Sequence, residues 1–269
     1  MSISVEQFGQ GPDLVLLHGW GMNGAVWHGI AQQLASHYRV HLVDLPGFGN
    51  SPLADEVDYS LPWLAEQVAA IMPQKCHLLG WSLGGLVASQ LALMHPDRLH
   101  SLITMASSPC FMARDEWPGI APKVLTGFNQ MLAGDFRQTI ERFLAIQAMG
   151  SEHARDDIRQ LRHWLAERPA PQFAALEAGL TLLADIDLRE PLRELDLPWL
   201  RIYGRLDSLV PKAAIPLLDD LYPASRSVTL NKASHAPFIS HPDEFIEIVR
   251  DFFWIKNSQQ ASLILWSGG

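Results

Sequence analysis

The five residues Gly80-Trp81-Ser82-Leu83-Gly84 carry the clearest chemical signal in the chain. The apolar run "CHLLGWS" at 76–82 reads as a strand, and the run that starts at Leu83 reads as an amphipathic helix. A serine between them, with glycine two places before and two places after, has the pattern of a nucleophile elbow. The serine there adopts a strained backbone conformation that lifts its hydroxyl clear of the sheet edge, and only small neighbours avoid collision. A free serine hydroxyl is a weak nucleophile. It needs a base to take its proton, an acid to orient that base, and donors for the oxyanion formed when it attacks a carbonyl.

Parts serving such an elbow follow in the order donor loop, serine, acid, histidine. After an early strand comes "HGWG" at 18–21, whose glycines let a backbone N–H turn toward the serine; Trp20 is the expected donor, with Leu83 as the second. The run "LRIYGRLDSLVP" puts Asp207 just past a late strand, and "NKASHAPF" puts His235 on the loop after the next one. Of the eleven histidines only His235 has this order and context. Asp44 in "DLPGFGNS" also ends a strand, but it precedes the serine and reads as a turn former. The expected catalytic set is Ser82, Asp207 and His235, with Trp20 and Leu83 as the oxyanion hole.

These residues need a scaffold of parallel strands. Apolar or β-branched runs at 13–19, 38–45, 76–82, 99–107, 198–204 and 225–231 alternate with helical patterns. That alternation means an α/β fold, a mostly parallel sheet covered by helices on both faces. The rhythm breaks near residue 112, and from there to 184 only helical patterns appear. The expected organisation is a core of 1–111 and 185–256 with a helical lid at 112–184 inserted before the late strands. The lid holds eight Lys or Arg against nine Asp or Glu, whereas the whole chain carries a net charge of −9. The insertion is thus nearly neutral on an acidic protein. The tail at 257–269 receives no role.

Composition narrows the function further. With 269 residues the chain can bury a large core without disulfide staples. Its two cysteines, Cys76 and Cys110, lie in apolar runs and suit a reducing compartment. No secretory pattern or membrane-length apolar run appears, so a cytoplasmic enzyme is expected. The acidic balance speaks against nucleic acid as a partner. No cluster has metal-ligand spacing and the glycines form no nucleotide fingerprint, so no metal or cofactor is expected.

With these parts in place the chain resembles the α/β-hydrolase superfamily across about residues 10 to 255. More narrowly it resembles the family of carboxylesterases that act on pimeloyl-acyl-carrier-protein methyl ester in biotin synthesis. The runs "LVLLHGWGMN", "HLVDLPGFGNS" and "LLGWSLGGLVASQLAL" carry the broad likeness; "SSPCFMARDEWPGI", "ERFLAIQAMG" and "KASHAPFISHP" carry the narrow one. The resemblance implies removal of a methyl group from a pimeloyl chain held on acyl carrier protein, with methanol released. It also implies substrate contacts at Trp20, Ser82, Leu83, Phe143, Leu144, Ala145, Ile146, Gln147 and His235. The chain departs from that family at Phe136-Arg137-Gln138, where the family order is Phe-Gln-Arg. The basic residue moves by one place, about 100° around a helix.

Acyl carrier proteins are strongly acidic, so the partner surface should offer arginine. Arg142, Arg155 and Arg159 are the expected docking residues, with Arg162 on the same side as Arg155 and Arg159. A monomer is expected. Two other readings share parts of this evidence. One is a different triad hydrolase on the same fold: a small-ester carboxylesterase, a carbon–carbon bond hydrolase or a perhydrolase. The other is a non-catalytic receptor or scaffold, against which an intact triad speaks.

Overall fold

A computed structural model describes residues 2–253; the expected tail at 257–269 lies outside them. Seven strands form one sheet: β1 (Val5–Phe8), β2 (Asp13–Leu17), β3 (Arg39–Val43), β4 (Cys76–Trp81), β5 (Leu99–Met105), β6 (Trp199–Gly204) and β7 (Arg226–Leu230). Their spatial order is β1-β3-β2-β4-β5-β6-β7. Only β1 runs antiparallel, against β3; every other pairing is parallel.

The central strands β2, β4, β5 and β6 are short apolar runs buried on both faces, as a sheet covered on two sides requires. Helices α1 (His28–Leu34), α2 (Leu61–Ile71), α3 (Leu83–Met94) and α8 (Ala214–Leu221) supply that cover. The edge strand β1 was not expected. Its "VEQF" has polar residues at both central places and lies half-buried at the sheet edge, so its pattern signal is weak.

Between β5 and β6 the chain runs through four helices, α4 (Pro122–Gly134), α5 (Phe136–Gln147), α6 (Ala154–Ala166) and α7 (Phe173–Asp185). Polar anchors tie this segment to the core. The Arg168 guanidinium donates to the Asp44 carboxylate at 2.6 Å and also pairs with Glu6. The Gln172 N–H donates to the Gly47 carbonyl at 2.8 Å, and its side-chain oxygen accepts the Leu53 N–H at 2.6 Å. Asp44 does close its own turn, accepting the Asn50 N–H at 2.8 Å. It also accepts the Gly24 N–H at 2.6 Å, so one buried carboxylate joins the turn, the loop after β2 and the inserted helices.

The two cysteines are buried and unpaired. Burial pushes the Cys76 thiol up to about 12, which leaves it protonated and inert. Among the described residues no helix is long and apolar enough to cross a membrane.

Candidate active site

Ser82 follows β4 directly and precedes α3. Its φ of 56° and ψ of −120° lie outside the regions L-residues favour. The flanking glycines make that turn possible. A Cβ on Gly80 would stand 2.2 Å from the Gly84 carbonyl oxygen, and one on Gly84 would stand 2.5 Å from the carbonyl oxygens of both Leu17 and His18. The turn is also fixed from behind. The Ser82 N–H donates to the Met105 carbonyl at 2.9 Å, and the Ser107 hydroxyl donates to the Ser82 carbonyl at 2.9 Å.

His235, on the loop after β7, stands with Nε2 2.9 Å from Ser82 Oγ and Nδ1 2.8 Å from Asp207 Oδ2. Asp207 follows β6. Its other oxygen accepts the N–H groups of Leu209 at 2.8 Å and Val210 at 3.1 Å, so the carboxylate cannot swing away from the imidazole. The His235 backbone is held twice: its N–H donates to the Gln147 carbonyl at 3.1 Å, and its carbonyl accepts from Trp81 Nε1 at 2.8 Å. All three side chains are buried. They come from the carboxyl ends of parallel strands, where an open α/β sheet presents its loops to one crevice.

The expected oxyanion donors flank the serine. Leu83 opens α3, so its N–H has no partner within the helix. Trp20 lies on the loop after β2, and among the described residues no acceptor takes its backbone N–H. Its indole is engaged elsewhere, donating to the Leu176 carbonyl at 2.8 Å and meeting the Phe143 ring edge-on at 4.7 Å. These contacts put α5 and α7 over the loop.

A narrow apolar cleft opens beside Ser82, lined by Phe111, Ile120, Leu125, Phe128, Phe143 and Leu183 among others. The five residues 143–147 do not act as one surface. Phe143 lines the cleft, Leu144 and Gln147 are buried, Ile146 is partly buried and Ala145 is exposed. A helix turning about 100° per residue must divide a five-residue run in this way. Gln147 is notable because its side-chain oxygen and nitrogen are buried without partners among the described residues.

The arginines on the inserted helices differ in what they contact. Arg155 is exposed, Arg159 pairs with Asp156 at 2.9 Å within α6, Arg162 grips Glu141 of α5, and Arg142 lies 3.4 Å from the Met131 sulfur. Arg137 leans over the Phe136 ring at 6.0 Å, and Gln138 is exposed. Among the described residues no group of three or more His, Cys, Asp or Glu could hold a metal ion. Two features escaped the sequence reading: the Asp44–Arg168 anchor, whose partners lie 124 residues apart, and His18, fully buried beneath the loop that carries Trp20.

The chain is similar to several known proteins. A protein of Aeromonas salmonicida named pimeloyl-[acyl-carrier protein] methyl ester esterase is 86% identical over 252 residues, covering 94% of this chain and 99% of that protein. One of the same name from Klebsiella pneumoniae is 55% identical over 234 residues, covering 87% and 90%. Among solved structures, an esterase from Exiguobacterium antarcticum superposes with a TM-score of 0.83 at 24% identity, over 93% of this chain and 94% of that one. The esterase RhEst1 from a Rhodococcus species gives 0.75 at 27% identity, over 93% and 94%. The sequence matches the alpha/beta hydrolase fold family over residues 12–242, and the chain belongs to that family.

Proposed function

We propose that this protein is a serine esterase that hydrolyses the methyl ester of pimeloyl-acyl carrier protein, releasing methanol and leaving a free carboxylate at the far end of the carried chain. The observation that carries the substrate assignment is the near-identity, along almost the full length of both proteins, with relatives bearing that name. The hydrogen-bonded Ser82, His235 and Asp207 support the chemistry.

In this reading Ser82 Oγ attacks the methyl ester carbonyl and His235 Nε2 takes its proton. Asp207 holds the Nδ1–H tautomer and stabilises the imidazolium. The N–H groups of Trp20 and Leu83 receive the oxyanion. Collapse expels methoxide, which leaves as methanol with the proton from His235. The acyl-Ser82 intermediate still bears the carrier protein, and water activated by His235 releases it. The acyl chain lies in the cleft against Phe143, and the buried Gln147 amide, on the residue whose backbone carbonyl accepts the His235 N–H, has no hydrogen-bond partner among the described residues.

Residues 112–184 act as a lid over the core. Its outer face, through Arg142, Arg155 and Arg159, receives the acidic carrier. The exposure of Arg155 supports that role, and Arg162 belongs instead to the α5–α6 pair. The enzyme works as a monomer in the cytoplasm: one chain supplies every part of the site, and its unpaired thiols suit a reducing compartment. The test is incubation with pimeloyl-carrier methyl ester, followed by the mass of the carrier. Loss of the methyl group with the thioester intact supports the reading, and release of unmodified carrier contradicts it.

A further inference from the structure

We infer that His18 is a positioning residue for ester hydrolysis: its ring fixes the Gly19–Trp20 peptide plane so that the Trp20 N–H is presented to the oxyanion. The inference rests on the reading of Trp20 as an oxyanion donor. His18 is fully buried at the end of β2, with its ring between the loop that carries Trp20 and the loop after β3. Nε2 accepts the Leu45 N–H at 3.0 Å, so that nitrogen carries no proton. The proton of the neutral ring therefore sits on Nδ1, which donates to the Gly19 carbonyl at 2.8 Å.

That carbonyl belongs to the same peptide unit as the Trp20 N–H. No peptide bond in the described chain is cis, so the C=O and N–H of this unit point in opposite directions. Fixing one end fixes the other. The Met22 N–H also donates to the Gly19 carbonyl at 3.2 Å, so two donors hold it away from the serine and polarise the amide whose N–H has no acceptor among the described residues. The loop lies directly on the nucleophile: a Cβ on Gly19 would stand 3.2 Å from Ser82 Cβ. Burial lowers the His18 pKa to about 4, which keeps the ring in its neutral, one-donor form at working pH.

Two amide substitutions separate this role from simple packing. In His18→Asn an amide nitrogen can occupy the place of ring Nδ1 and donate to the Gly19 carbonyl, while the Leu45 N–H is left unmatched. In His18→Gln the amide reaches the place of Nε2 and serves Leu45, while the donor to Gly19 is lost. Each full-length variant is assayed for kcat and KM on a short soluble ester, for inhibition by a trifluoromethyl ketone, which forms an oxyanion on the serine, and for melting temperature. His18→Gln is expected to lose about 10- to 100-fold in kcat with KM little changed, since removing one oxyanion donor outright costs about 100- to 1000-fold in other enzymes. Its trifluoromethyl ketone affinity should fall by a similar factor. His18→Asn should stay within a few-fold of wild type in both.

The reverse order, or equal losses that track melting temperature, would overturn the inference and return His18 to a packing role. An unchanged kcat in folded His18→Gln would do the same. If the wild-type enzyme itself forms no adduct with the ketone, the oxyanion reading on which the inference rests fails first.

Discussion

The sheet edge and the inserted helices meet at Ser82, and they hold their residues by different means. At the sheet edge nearly every polar group is matched. Ser82, His235 and Asp207 form one hydrogen-bonded line, Asp207 accepts two further N–H groups, and the Trp81 indole braces the His235 carbonyl. The helical face opposite is apolar, built from Leu125, Phe128, Phe143 and Leu183, and near the site it leaves the Gln147 amide unpaired. Directional bonds fix atoms to a few tenths of an ångström, which bond making requires. Apolar packing fixes shape and excludes water. Under the proposed function, the core performs the reaction while the helices choose what reaches it.

The largest effect should come from the core. Ser82→Ala is expected to lower kcat by about 10⁵- to 10⁶-fold while the melting temperature barely moves, because the proposed mechanism makes the hydroxyl the attacking group. Single-turnover kinetics and thermal melting check both halves; residual activity near wild type would end the mechanism. Asp207→Asn should lose about 10⁴-fold. Its amide nitrogen would face the Nδ1–H of His235, forcing the other tautomer and removing the acceptor that Ser82 needs. A pH profile that kept its wild-type height would show that Asp207 does not set that tautomer.

The buried polar network of the core also makes a pH prediction. The folded-state pKa of His18 is depressed to about 4, with Asp44 opposing the shift and Arg168 assisting it. Between the unfolded value near 6.5 and about 4, the unfolded chain binds a proton that the folded chain does not. This contribution to stability is full above the unfolded value and is lost as pH falls through that window, amounting to roughly 3 kcal/mol by pH 4. Urea unfolding at a series of pH values should show the loss in wild type and a smaller one in His18→Asn.

On the helical side the effects should be smaller and depend on substrate. Phe143→Ala is expected to lower kcat/KM for a long-chain ester about ten times more than for an acetyl ester, since it removes cleft wall and leaves the triad intact. Equal losses on the two esters would mean that the cleft does not hold the acyl chain. Arg155→Glu with Arg159→Glu should raise KM several-fold for the carrier-borne ester and spare a small soluble ester. Added salt should weaken only the carrier reaction, because exposed charges are screened over about 10 Å at 0.1 M.

Legibility from sequence follows the same division. The residues at the sheet edge can be read because local rules produce them: a short apolar run, then a glycine-flanked serine or a turn bearing Asp207 or His235. The edge strand β1 cannot, since its Glu6 and Gln7 break the apolar pattern and its pairing with β3 is set by tertiary contact. The Asp44–Arg168 anchor and the role of His18 depend on groups brought together only by the fold. On the helices, sequence spacing puts Arg155, Arg159 and Arg162 along one side, yet Arg162 is taken by Glu141 from the neighbouring helix. Contacts between helices carry no local signal.

The most direct test of the central claim is the identity of the covalent intermediate. Enzyme and pimeloyl-carrier methyl ester are mixed for a single turnover, quenched in acid, and the mass of the protein that bears Ser82 is measured. Attack at the methyl ester predicts a covalent conjugate of enzyme, pimeloyl chain and whole carrier protein, joined through Ser82, with methanol released. An enzyme bearing only a methyl pimeloyl group beside free carrier thiol, or no adduct on Ser82 during turnover, would contradict the account.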